Sequence, residues 1–126
     1  MAGTLTISTL SDGTNSTSST NCIQGSAKAW VSYNAVTSTI RASYNVSSVT
    51  LNSTGFNQIN FTNAFVDTNY SFVGSCSNDG ANRSWIQFDG NNNSNAGQVS
   101  TTNIKFYTGG VSNVVTVPFI WVACFR

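Results

Sequence analysis

From Ser26 to its last residue, this chain repeats one rhythm: short runs rich in Val, Ile, Thr, Phe and Tyr, each broken by a cluster of Gly, Asn, Asp and Ser. Such runs are too short for helices, which need about ten residues to bury a stripe, and the rhythm has the spacing of an all-β sandwich or barrel. Side chains alternate along a strand, so within residues 39–46 the set Ile40, Ala42, Tyr44 and Val46 is expected on one face, and Arg41, Ser43 and Asn45 on the other. The same alternation puts Ile59 and Phe61 inward within 57–62, Ile86 and Phe88 inward within 83–89, and Ile104 and Phe106 inward within 99–108. Residues 28–34, 47–51 and 70–75 supply further strands, and no stretch carries a helical period. Ser53-Thr54-Gly55, Asp79-Gly80, Asp89-Gly90 and Gly109-Gly110 offer the backbone angles that antiparallel reversals require. The expected fold is an antiparallel β-sandwich, with a jelly-roll connectivity as one way to build it.

The two ends depart from this rhythm. Residues 1–25 hold few large apolar side chains and a loose Ser/Thr/Asn tract, the composition of an extended N-terminal arm attached to a sandwich at 26–126. Residues 114–125 are apolar on both faces. Such a strand is covered twice, by its own core on both sides or by its core and a neighbouring subunit. The second arrangement suits a small sandwich and predicts self-association through Phe119, Trp121 and Phe125.

Charge and reactive side chains narrow the chemistry. With 7% charged residues and a net charge of +1, the scattered Lys28, Arg41, Arg83, Lys105 and Arg126 form no basic stripe, which argues against nucleic acid as a partner. No apolar run is long enough for a membrane span, and the opening Met1-Ala2-Gly3-Thr4 lacks the pattern of a secretory signal. Cys22, Cys76 and Cys124 are too few and too far apart for a zinc site, and their odd number does not suggest a disulfide framework. There is no histidine or glutamate, so acid–base chemistry would fall to Asp12, Asp67, Asp79 and Asp89. Three of these precede glycine and read as turn formers. No catalytic residue, metal or cofactor is expected, and the chain reads as a non-enzyme. The run from Asp89 through Asn91 to Asn95 lacks the glycine and terminal glutamate of a calcium loop, and reads as a solvated hairpin loop.

What remains is adhesion. Sugars are bound by flat aromatic faces with amide and carboxylate side chains nearby. If Ile86, Phe88, Ile104 and Phe106 point inward, then Trp85, Gln87, Asp89, Lys105 and Tyr107 point outward. Trp85, Gln87, Asp89, Asn91 and Tyr107 are therefore the candidate ligand-binding residues. The alternative for both rings is packing, at a subunit interface or under a loop.

The stretch Ser26-Ala27-Lys28-Ala29-Trp30-Val31-Ser32-Tyr33-Asn34, followed by Ile40-Arg41-Ala42-Ser43-Tyr44-Asn45-Val46-Ser47-Ser48-Val49 and Asn60-Phe61-Thr62, resembles a module of bacteriophage tail-fibre and related virion proteins. Asp67-Thr68-Asn69-Tyr70 and the closing Val122-Ala123-Cys124-Phe125-Arg126 add to the likeness. The resemblance covers roughly residues 26–75 and the end of the chain, and it brings no catalytic signature. It implies a compact β module, usually trimeric, displayed on a virion made in a bacterial cytoplasm, with other phage tail or capsid proteins as partners. Two functions follow as expectations: a tail-fibre or receptor-binding module that recognises host surface polysaccharide, or a capsid decoration (cement) protein.

Overall fold

The structure, a computed structural model, describes residues 3–77, 84–87, 99–110 and 113–126. Among the described residues the fold is all-β, with one short helix. Strands β1 (Thr9–Ser11) and β2 (Ser16–Ser18) pair as a hairpin, and α1 (Ser19–Gly25) follows directly. The Asp12 carboxylate closes the hairpin turn by accepting from the amides of Thr14 at 2.9 Å and Asn15 at 2.7 Å. Ser18 caps α1, its Oγ accepting from Asn21 N at 3.1 Å. The sequence shows no helical period there because a capped helix of about two turns with no buried residue has no face to pattern.

The sandwich begins at β3 (Ala27–Asn34), which forms a hairpin with β4 (Thr39–Tyr44). The chain then crosses to the opposite layer for the hairpin of β5 (Val46–Ser53) and β6 (Phe56–Phe61). It returns for β7 (Ser71–Cys76), crosses again for β8 (Trp85–Gln87) and β9 (Asn103–Gly109), and ends in β10 (Ile120–Phe125). The back sheet has the order β4-β3-β10-β7 and the front sheet β5-β6-β9-β8, every pair antiparallel. The connectivity differs from a jelly roll: β3–β4, β5–β6 and β8–β9 pair as neighbours within one sheet, and β10 lies between β3 and β7.

The crossing at Asn45 corrects the expected strand 39–46. Asn45 adopts a left-handed backbone with φ 55°, a conformation Asn tolerates better than most residues. Its side chain fixes the corner, Nδ2 donating to the carbonyls of Lys28 and Asn63 at 3.1 Å and Oδ1 accepting from Asn63 N at 2.8 Å. A second correction lies within β4. The pairing slips between Ser32 and Tyr33, so Ser32 faces Ala42 while Tyr33 faces Ile40, and Arg41 is the extra residue. A bulge reverses the phase of the alternation beyond it. Ile40 therefore packs on the core, whereas Ala42 and Tyr44, expected inward with it, lie with Ser32 and Trp30 on the outer face; Tyr44 is exposed.

Between the sheets, Val31, Tyr33, Ile120, Val122 and Cys124 meet Ile59, Phe61, Ile104 and Phe106, all buried. The expected inward positions of Ile59, Phe61, Ile104 and Phe106 thus hold, and Ile86 is partly buried against the same core; Phe88 lies outside the described residues. Phe72 of β7 reaches Phe106 of β9 with ring centroids 5.3 Å apart. Gly74 leaves room for the opposite layer, since a Cβ there would stand 3.0 Å from Ile86 Cδ1. One polar link also spans the layers: the buried Tyr33 hydroxyl donates to Oδ1 of Asn57, itself 0% exposed, at 3.1 Å. Asn57 Nδ2 donates in turn to Gly55 O at 2.9 Å and Thr108 Oγ1 at 3.2 Å, and Thr108 Oγ1 donates to Val115 O at 2.6 Å. The side chains of Tyr33, Asn57 and Thr108 are thereby paired, which is what allows them into an apolar core. Burial pushes the Tyr33 hydroxyl far up from its usual pKa, so it stays a donor.

At the end of the molecule Arg126 grips Asp67 with two hydrogen bonds, 2.9 and 2.5 Å long, joining the segment before β7 to the residue after β10. Among the described residues no helix is long and apolar enough to cross a membrane.

Candidate functional site

The two outer faces of the sandwich differ in chemistry. On the front sheet, the strand registers arrange the outward side chains in rows. Ser48, Asn60 and Asn103 form one row, and Thr50, Gln58 and Lys105 the next. Phe56, Tyr107 and Gln87 form the third, and Trp85 stands opposite Gly109 at the edge. These residues point outward because their strand neighbours Asn57, Ile59, Ile104, Phe106 and Thr108 are buried beneath them.

Amides and rings occupy separate parts of this face. Gln58 Nε2 donates to Asn60 Oδ1 at 2.6 Å, and Asn60 Nδ2 donates to Ser48 Oγ at 2.9 Å, so a chain of neutral hydrogen-bonding groups crosses three positions with fixed orientations. Beside it the Phe56 and Tyr107 rings stack with centroids 4.6 Å apart and planes 17° apart. The Tyr107 hydroxyl and the Gln87 amide make no hydrogen bond to any described residue. Trp85 is 38% exposed and held in place: its Nε1 donates to Gly110 O at 2.9 Å. The indole lies against Gly109, where a Cβ would come within 2.4 Å of Trp85 Cζ2. A glycine is therefore required under that ring.

The back sheet presents the opposite character. Tyr44, Trp30, Ala123 and Val73 form one outward row, and Ala42, Ser32, Trp121 and Ser75 the next. Trp30 and Trp121 rise on either side of a shallow trough of about 500 Å³ floored by Ser32, Ser75 and Ala123. Trp121 is 45% exposed and Trp30 40%, and Phe119 stacks parallel to Trp121 at 5.8 Å. Arg41 lies over the Phe119 ring, its guanidinium 4.2 Å from the ring centroid while Nη2 donates to Pro118 O at 2.8 Å. The final strand thus has one face in the core, through Ile120, Val122 and Cys124, and one face outside. Phe125, at its end, is partly buried and continues the outer row.

Of the residues expected from sequence, Trp85, Gln87 and Tyr107 share the front face, and Phe119 and Trp121 share the back face with Phe125 at its margin. Asp89 and Asn91 lie outside the described residues. Trp85 combines the two alternatives: one part of its ring is open, and the rest is packed under the loop at Gly110. Sequence reasoning missed Phe56, Gln58 and Asn60. Their signal was present in the alternation of Asn57, Ile59 and Phe61, which fixes the positions between them as outward. It missed Trp30 as an outer residue for the same reason.

Burial raises the pKa of Cys76 and pushes that of Cys124 up to about 12, so both thiols are poor nucleophiles, while Cys22 is exposed. Among the described residues no three His, Cys, Asp or Glu side chains gather into one cluster. No known protein family, curated protein or solved structure matches this chain.

Proposed function

We propose that this protein is a non-enzymatic adhesion module of a phage virion surface, a tail-fibre or receptor-binding component that recognises host surface glycan through the outer face of its front sheet. The observation that carries the reading is the pairing of stacked rings with an oriented amide chain on one surface. Aromatic faces take the apolar side of a sugar ring, and amides fixed by their own hydrogen bonds meet its hydroxyls without ordering cost. The resemblance of residues 26–75 and the closing residues to tail-fibre modules supports the virion setting.

The back face supplies the self-association in this reading. Trp30, Tyr44, Val73, Phe119 and Trp121 together leave roughly 500 Å² of apolar surface outside, at about 150–250 Å² for a whole aromatic side chain. Monomers seldom keep more than a few hundred Å² bare in one patch, and a standard interface takes about 800 Å² from each partner. Covering it with further copies, three in the arrangement that the resemblance supports, leaves the front faces pointing outward. A capsid decoration protein would use the back face against the shell and would have no use for the ring-and-amide face, which is why adhesion is preferred.

The experiment is attachment of labelled protein to intact host cells. Adhesion predicts binding that competes with virus, is blocked by added surface polysaccharide and is lost in Tyr107→Ala. Saturable attachment to undecorated particles with no cell binding would replace this reading with the decoration protein.

A further inference from the structure

The charges on the described residues are almost all committed. Lys28 Nζ donates to Ile23 O and, at 2.9 Å, to Ser26 Oγ. Arg41 is engaged by Pro118 O and the Phe119 ring, and Arg126 by Asp67. Asp12 serves its own turn. Lys105 differs. Among the described residues it is the one cation with no hydrogen-bond, ion-pair or ring partner, and it stands half-buried in the middle of the front face, opposite Gln58 and two residues from Tyr107. Next to it on the same strand and face, Asn103 has a buried Oδ1 that also lacks a partner among the described residues.

From this placement we infer that the front face selects a glycan carrying an anionic group, a sugar carboxylate being the simplest, with Lys105 as its anchor and the stacked Phe56–Tyr107 pair under the adjoining ring. This deepens the glycan reading and rests on it. An ammonium with no partner among the described residues is free to pair with a ligand charge, and a charge-assisted hydrogen bond discriminates more strongly than a neutral one. The stacked rings and the Gln58–Asn60–Ser48 chain bind the sugar whatever its charge, so Lys105 sets preference rather than adhesion itself.

The test compares acidic sugars with neutral partners of the same shape: tetragalacturonate against its full methyl ester, and sialyl-lactose against lactose, within a wider array of such pairs. Calorimetry on the full chain should show roughly tenfold or greater preference for the acidic member of the bound pair. Lys105→Met and Lys105→Gln, checked for unchanged melting, should bind both members alike, at the affinity the wild type shows for the neutral one. The preference should also shrink in about 1 M salt, where the screening length is about 3 Å. Equal binding of acidic and neutral members by the wild type overturns the inference and leaves the glycan face standing. A preference that survives in both Lys105 variants overturns it too, and binding to no member of the array overturns the inference and the glycan reading together.

Discussion

Replacing Asn57 by Leu should strand one buried group and nothing else. The Tyr33 hydroxyl, on a side chain only 1% exposed, would lose its acceptor at 3.1 Å. Gly55 O would keep its bond from Thr108 N at 2.8 Å, and Thr108 Oγ1 would keep its donation to Val115 O. An orphaned buried hydroxyl costs about 1–3 kcal/mol, and the lost bonds to Gly55 and Thr108 add up to roughly 1 kcal/mol more. At a urea slope of about 1–2 kcal/mol per molar, the unfolding midpoint should fall by roughly 1–4 M with an unchanged slope. Tyr33→Phe alone should cost a similar amount, because Asn57 Oδ1 then goes unpaired. The double variant carries the decisive result: with donor and acceptor both gone there is no orphan, so it should be more stable than Asn57→Leu alone, a coupling of about 1–2 kcal/mol. Additive losses in the double variant would refute the claim that this hydrogen bond links the two layers.

Three further outcomes follow. Gly109→Ala should drive the Trp85 indole off its seat and break the bond to Gly110 O, lowering stability by about 1–3 kcal/mol and shifting Trp85 fluorescence to the red; unchanged melting and emission would mean the ring has no such seat. The Arg126 guanidinium holds the Asp67 carboxyl below its usual range, so the pair's contribution is present above the unfolded value near 4 and is lost as pH falls through the lower folded value. Acid unfolding of Asp67→Asn should therefore lack that step, and an identical acid profile would dismiss it. Thiol titration of the native protein should modify Cys22 at once and Cys124 only after unfolding, while rapid labelling of Cys124 would contradict its place in the core.

The sequence made the sandwich legible wherever pairing is regular. Strands β6 and β9 run without a slip from Phe56 opposite Tyr107 to Asn60 opposite Asn103, so alternation alone separates Ile59, Ile104 and Phe106 from Gln58, Lys105 and Tyr107. It failed at β4, because the bulge at Arg41 reverses the faces of Ala42 and Tyr44 and leaves no compositional mark. The corner at Asn45 was hidden for a related reason: an Asn within an apparently alternating run reads as an outward polar residue, and only its positive φ shows it to be a turn between layers. The two-faced character of the last segment was readable as composition. That its outer face joins Trp30 and Val73 was not, since only strand order puts β3 and β7 on either side of β10.

The division of labour proposed for the two faces can be tested through the three tryptophans, because Trp30 and Trp121 stand on the back sheet and Trp85 on the front. Indole N–H resonances assigned by substitution give one signal for each. Dilution of the assembled protein should move the Trp30 and Trp121 signals and leave Trp85 in place, whereas saturating glycan should move Trp85 alone. Glycan shifts confined to Trp30 and Trp121, or a Trp85 signal that follows dilution with them, would contradict the assignment of adhesion to one face and assembly to the other.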